Sequence, residues 1–175
     1  CLSHEHGDHT YGLRALHTRH NIPLYANAGT IEGVQRDARL RALSWEVFDT
    51  GSAFAIGDLV IQPFSVPHDA YDPVGFTIRH ERVQVGVLAD MGAPTTVVRE
   101  HLRSCRVVVV EANHDEQMLQ ESSRPWHLKQ RIRSRQGHLS NESAATMLAE
   151  IAGPELDHVF LTHISDECNR EDLAV

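Results

Sequence analysis

Apolar positions along the chain fall into short runs, and the spacing within them changes several times. Tyr11 to His20 reads as a helix. Pro23-Leu24-Tyr25-Ala26 reads as a short strand, Thr30 to about Arg41 as a helix, and Trp45-Glu46-Val47-Phe48 as the next strand. Ala53–Ile56 and Leu59–Val66 flank Gly57-Asp58, a two-residue turn signal, and predict a hairpin. Val74–Arg79 and Val83–Leu88 predict a second hairpin around His80-Glu81-Arg82. A helix follows over Thr95–Arg103, then a β-branched run over Arg106–Val110 that suits a buried strand. Helices are expected over Glu116–Glu121, Trp126–Arg133 and Asn141–Ile151, the last with Ala144, Ala145, Leu148 and Ile151 at helical spacing. Ser140 is its candidate N-cap, although Ser143 stands where a capping box has Glu or Gln. His158–Leu161 is the last strand. Hairpins in the middle with helices on both sides predict an α+β domain.

Composition narrows the class. The 175 residues fit one domain, and 41% hydrophobic residues are enough for a packed core. No apolar run approaches the ~20 residues of a membrane helix, and no apolar leader segment opens the chain. Cys1, Cys105 and Cys168 are odd in number and far apart. They make neither a disulfide framework nor a CxxC zinc pattern, so a reducing, cytoplasmic setting is expected. The unusual quantity is 13 histidines, which points to metal chemistry.

Their positions carry more than their number. His4-Glu5-His6-Gly7-Asp8-His9 packs four potential ligands into six residues of a polar segment read as a loop. His4 and His6 alternate, so an extended backbone aims both at one ion, and Asp8 and His9 come next for a second. One tetrahedral zinc needs only three or four ligands, so this segment is over-supplied for a single ion once later ligands are added. Those arrive just past apolar runs: His68 after Phe64-Ser65-Val66-Pro67, Asp90 after Val85-Gly86-Val87-Leu88-Ala89, and His163 after Val159-Phe160-Leu161-Thr162.

This HxHxDH motif followed by His, Asp and His resembles the metallo-β-lactamase superfamily. The resemblance implies an αββα sandwich and two divalent ions. His4, His6 and His68 would hold the first ion, Asp8, His9 and His163 the second, with Asp90 bridging. It also implies that residues 1–175 are an incomplete domain, truncated at the N-terminus, with first strands missing before residue 1. Such a fragment is expected to fold marginally or not at all when expressed alone.

Further motifs narrow the branch. His6 stands where flavo-diiron relatives have Glu, and Asp90 rather than Cys serves the second site. Glu111-Ala112-Asn113-His114, Gly137-His138-Leu139-Ser140-Asn141 and Leu161-Thr162-His163-Ile164-Ser165 resemble the tail motifs of tRNase Z and of the YycJ/WalJ-like exonuclease group. The spacing from Asp90 to His138 is too short for a β-CASP insertion. The resemblance implies a phosphodiesterase or nuclease, DNA favoured over RNA, in which a hydroxide bridging two metals attacks phosphorus. Asp8 would orient that water and accept its proton, His138 would protonate the leaving oxygen, and Glu111 would hold the His138 ring. Ser140 and Asn141 would donate to the phosphate at a helix N-terminus.

Charge adds a weaker expectation. Net charge is −8, yet Ser122–Ser140 holds Arg124, Lys129, Arg131, Arg133 and Arg135 and no acid. That strip is expected to track nucleic-acid phosphates beside His138. Two readings compete with the nuclease: a thioester or lactone hydrolase that shares the seven ligands, and a catalytically silent metal-binding protein. His and Asp ligands suit zinc, manganese or iron alike.

Overall fold

Two tight turns seed the main sheet. In the computed structural model, which describes all 175 residues, Gly57 takes a left-handed φ of 60° between β3 (Phe54–Ile56) and β4 (Leu59–Ser65). Glu81, at φ 50°, turns the chain between β5 (Val74–His80) and β6 (Val83–Leu88). Residue i, i+2 alternation gives each strand two faces. β7 (Val107–Glu111) and β8 (His158–Thr162) complete a six-stranded sheet in the order β3-β4-β5-β6-β7-β8. The first four strands pair antiparallel, and β6, β7 and β8 run parallel. A separate parallel pair joins β1 (Tyr25–Ala26) to β2 (Glu46–Val47).

Helices occupy the connections. α1 (Gly7–Thr10) and α2 (Leu13–His20) precede β1, and α3 (Ala28–Val34) follows it. α4 (Thr96–Leu102) crosses from β6 to β7, as parallel strands require. α5 (Glu116–Glu121), α6 (Trp126–Ile132) and α7 (Asn141–Ile151) lie between β7 and β8, and α8 (Glu171–Ala174) ends the chain. Helices α4 and α7 pack on one face of the sheet around Phe64, Leu88, Val98, Leu102, Val108 and Met147. Gly86 allows this approach, because a Cβ there would strike Leu102. The opposite face carries Phe48, Ile61, Val74 and Phe76. No helix is long and apolar enough to cross a membrane.

Three expectations need correcting. The His4–His9 segment is not a plain loop: it runs extended to His6 and then enters α1 at Gly7. The helix expected over Thr30–Arg41 ends at Val34. Past it the bonds tighten to three-residue spacing, Arg36 N–H to Gly33 and Asp37 N–H to Val34. The Asp37 carboxylate then accepts the Arg39 N–H, offering the backbone a turn in place of a helix. The expected strand over Trp45–Phe48 shrinks to two residues.

The topology places the chemistry. β4, β6, β7 and β8 all point the same way, because β4 and β6 are both antiparallel to β5. Their carboxyl ends therefore lie along one edge of the sheet. His68, Asp90, Glu111 and His163 each sit at or just beyond one of those ends.

Candidate metal centre

The N-terminal motif reaches the same edge by its backbone. Leu2 N–H donates to Tyr25 C=O, and Val74 N–H donates to Ser3 C=O, which seats the extended segment between β1 and β5. His4 and His6 are thereby aimed at the strand ends, and the turn into α1 swings Asp8 and His9 beside them. Glu5, between the two histidines, points elsewhere. Its carboxylate accepts the Tyr71 N–H at 3.1 and 3.3 Å and holds the loop after His68.

Seven residues named from the sequence converge into two groups. His4, His6, His68 and Asp90 form one, and Asp8, His9, Asp90 and His163 the other, with the ligand atoms of each group within 4.8 Å of one another. Asp90 belongs to both. Four imidazoles surround its carboxylate: His163 at 3.2 Å, His4 and His68 at 3.4 Å, and His9 at 3.5 Å. None of these contacts is a directed hydrogen bond. His4 Nε2 and Asp90 Oδ1 are buried with no hydrogen-bond partner at all. Such groups cost about 1–3 kcal/mol each when left unsatisfied. A divalent cation between them would satisfy both, and imidazole with carboxylate is a donor set that zinc, manganese and iron accept. The residues present fit two ions.

The far ring nitrogens are held. His68 Nδ1 lies 2.9 Å from Gly137 C=O, to which it donates, leaving Nε2 for the centre. His4 Nδ1 and His9 Nδ1 both meet Ser3 Oγ, at 3.2 and 3.1 Å. His163 Nδ1 donates to Glu111 at 2.8 Å while its Nε2 lies 3.3 Å from Asp8. His163 itself adopts a left-handed φ of 55°, held by Asn113, whose side chain donates to His163 C=O and whose own C=O accepts from Ser165 N–H.

Glu111 organises the neighbouring subsite. It is fully buried, and its Oε1 accepts from His138 Nδ1 at 2.6 Å as well as from His163. Its Oε2 accepts the backbone N–H groups of Met91 and Leu139 at 3.0 and 3.1 Å. Met91 follows Asp90 and Leu139 follows His138, so one carboxylate ties together both loops and the second group. The loops also touch backbone to backbone: a Cβ on Gly92 would collide with Arg135 and Gly137, and one on Gly137 would strike the last carbonyls of α6 at Arg131 and Ile132.

Charge follows from this crowding. Burial works to raise the Asp90 carboxyl, but His4, His9 and His163 outweigh it and hold it far below the usual carboxylate range. Partial burial pulls the same way on Asp8, and His9 and His163 again prevail and lower it. Burial lowers His6 and His68. The hydrogen bond to Glu111 raises His163 to about 9. Burial opposes a rise at His138, and Glu111 overcomes it. A cation entering the second group therefore displaces protons, as metal binding to histidine generally does.

Two sets of expected site residues are engaged, in whole or in part, by other contacts. Ser140 Oγ accepts the Ser143 N–H as the cap of α7, and the Asn141 amide is spent on Asn169 and Leu173 C=O. Neither side chain is free for a phosphate. The basic strip is also not a strip of free charge. Lys129 is buried and donates to Gln120 and Ser122 C=O, both at 2.7 Å. Arg124 pairs with Glu167, Arg131 with Asp69, and Arg133 with Glu116; Arg135 alone is exposed without an acidic partner. Arg124 and Arg131 nevertheless line a cavity of about 370 Å³ together with His138, His163, Asn113 and Asp69. Sequence reasoning missed Ser3, Glu5, Asn113 and Asp69. Each stands within two residues of a named residue, which is the only signal the sequence offers for them.

Strand ends that converge on paired His/Asp groups are the build of a metal-dependent hydrolase fold. A family model described as "Beta-lactamase superfamily domain" matches residues 1–164. Exodeoxyribonuclease YycJ of Bacillus anthracis is 31% identical over 180 residues, covering 99% of this chain and 66% of that protein. Exodeoxyribonuclease WalJ of Streptococcus pneumoniae is 31% identical over 176 residues, covering 99% and 65%. The chain thus spans just under two thirds of the length of these relatives. Among solved structures, the metallo-beta-lactamase fold protein YhfI from Bacillus subtilis superposes with a TM-score of 0.74 at 17% identity, over 98% of this chain and 66% of that one. Zn(2+)-bound PqqB from Methylobacterium extorquens gives 0.71 at 18%, over 95% and 62%. The chain belongs to the metallo-β-lactamase superfamily.

Proposed function

We propose that the protein is a dinuclear metal-dependent phosphodiesterase, acting on nucleic acid and on DNA in preference to RNA, as an exonuclease. The observation that carries this reading is the buried Glu111–His138 pair at the wall of the cavity beside the second ligand group. A thioester or lactone hydrolase would not need His138 as a proton donor. The exodeoxyribonuclease names of the two relatives support DNA as the substrate.

His4, His6, His68 and Asp90 would hold one ion and Asp8, His9, Asp90 and His163 the other. Zinc or manganese would serve with this set, and iron also fits. Divalent ions in such a site supply Lewis acidity and lower the pKa of water toward neutrality. Asp8 orients the attacking water and accepts its proton. Glu111 takes the Nδ1–H of His138 and favours the imidazolium, so that Nε2–H faces the cavity. As the P–O bond breaks, that proton passes to the leaving oxygen. Arg124 and Arg131 keep the cavity wall positive for the flanking phosphate, each exchanging part of its contact with Glu167 or Asp69.

The test is a substrate panel on the full-length protein loaded with Zn2+ or Mn2+: bis(p-nitrophenyl) phosphate, end-labelled DNA, the matching RNA, and a thioester. Turnover of DNA and of the phosphodiester is expected, and turnover of the thioester alone would overturn the reading. His138→Ala should lower kcat on DNA by about 10²–10⁴-fold, the usual share of general acid–base catalysis, with metal content unchanged. Loss of metal in that variant would remove His138 from the proton-donor role.

A further inference from the structure

We infer that Ser3 sets the ring tautomer of one histidine in each ligand group and so couples the occupancy of the two metal positions through a single hydroxyl. The inference rests on the two-ion reading above.

The geometry leaves one consistent arrangement. His4 and His9 each turn Nε2 toward Asp90, at 3.4 and 3.5 Å. Their other nitrogens, Nδ1, both approach Ser3 Oγ, at 3.2 and 3.1 Å. A hydroxyl has one proton and two lone pairs. If Ser3 donated its proton to either ring, that ring would carry its own hydrogen on Nε2 and could not ligate. Both rings ligate only if both carry the hydrogen on Nδ1 and Ser3 Oγ accepts from both. The serine is therefore an acceptor fork. Its lone pairs fix two imidazoles whose Nε2 atoms serve different ions.

Backbone contacts make the fork rigid. Ser3 lies on the extended segment whose C=O accepts the Val74 N–H at 3.0 Å, and Leu2 beside it donates to Tyr25 C=O at 2.8 Å. The hydroxyl cannot follow one ring without leaving the other. The rings themselves lie 4.1 Å apart between centroids, tilted by 47°. An ion that orders His4 in the first group thus orders Ser3, and through it His9 in the second. Contacts to the far nitrogen of a ligating imidazole are worth 10–100-fold in metal affinity.

Three forms of the full-length protein test this: wild type, Ser3→Ala and Ser3→Thr, each titrated with Zn2+ against a chromophoric chelator. Wild type should bind two equivalents. Ser3→Ala should bind both about 10–100-fold more weakly, and Ser3→Thr, which keeps the hydroxyl, should return both to near wild type. The thermal melts of the metal-free proteins should coincide, since the fork matters only when Nε2 must ligate. Weakening of one equivalent alone, or equal affinity in wild type and Ser3→Ala, would overturn the coupling. A Ser3→Thr protein that melts normally yet binds like Ser3→Ala would also overturn it. Wild type binding fewer than two equivalents would instead overturn the two-ion reading itself.

Discussion

The two ligand groups share Asp90 but sit in different surroundings. In the first, the side chains of His68 and Asp90 are 0% and 2% exposed, and those of the second rise to 17% at His9, 28% at His163 and 59% at Asp8. In the first group His68 is held by backbone, through Gly137 C=O, and His4 by the Ser3 hydroxyl. The second is fastened by side chains, with His163 held by Glu111, which also holds His138. The contrast teaches where exchange happens. An ion in the first group would sit among three buried ligands and the half-buried His6. An ion in the open group would lie beside the cavity that His163 lines and would share Glu111 with the proposed proton donor, His138.

The largest effect should come from the residue that the comparison does not separate. Asp90→Ala removes the carboxylate common to both groups, the one acid that all four imidazoles surround. Both ions should be lost in metal analysis, and hydrolysis should fall by more than the roughly 100-fold that outer contacts reach. A variant that kept two equivalents would mean that the groups are independent.

A smaller, asymmetric effect should follow from substitution in one group only. His163→Ala opens the exposed group and should leave one tightly held equivalent, whereas His4→Ala should empty the buried group. Dialysis of wild type against a weak chelator should show the same order, one equivalent leaving before the other. Hydrolysis should fall with the first equivalent lost. Simultaneous loss of both equivalents in His163→Ala would erase the distinction between the groups.

How legible this was depends on the range over which each feature acts. The seven candidate ligands stand out because four lie within six residues and the others follow apolar strands, so local pattern carried them. The hairpins, α5 and α7 were equally local, set by Gly57-Asp58 and by capping at Asp115 and Ser140. Ser3 and Asn113 were not legible. Their roles exist only once His4 meets His9, or once β7 and β8 bring Asn113 to the left-handed His163. Asn141 was misread because its partner, Asn169, lies 28 residues away. The pairing within the basic strip was not legible, because counting charge says nothing of burial or of acids such as Asp69, Glu116 and Glu167 brought in from elsewhere.

The smallest effect tests the same contrast by touching neither group. Lys129 lies on α6, two residues from Arg131, yet its side chain turns inward and donates to Gln120 and Ser122 C=O. Those carbonyls end α5 and have no partner within the helix, and a cation there also favours the helix dipole. Lys129→Met keeps the apolar stem and removes the donor. Leaving such acceptors unsatisfied costs about 1–3 kcal/mol, which in a domain of this size lowers Tm by roughly 2–4 °C for each kcal/mol. Both metal equivalents should remain, and kcat on DNA should be unchanged, because the ammonium touches neither ligand group nor cavity. A Lys129→Met protein with normal Tm and weakened DNA binding would return the lysine to the substrate-facing surface. An altered metal content would show that the frame of the buried group extends through α6.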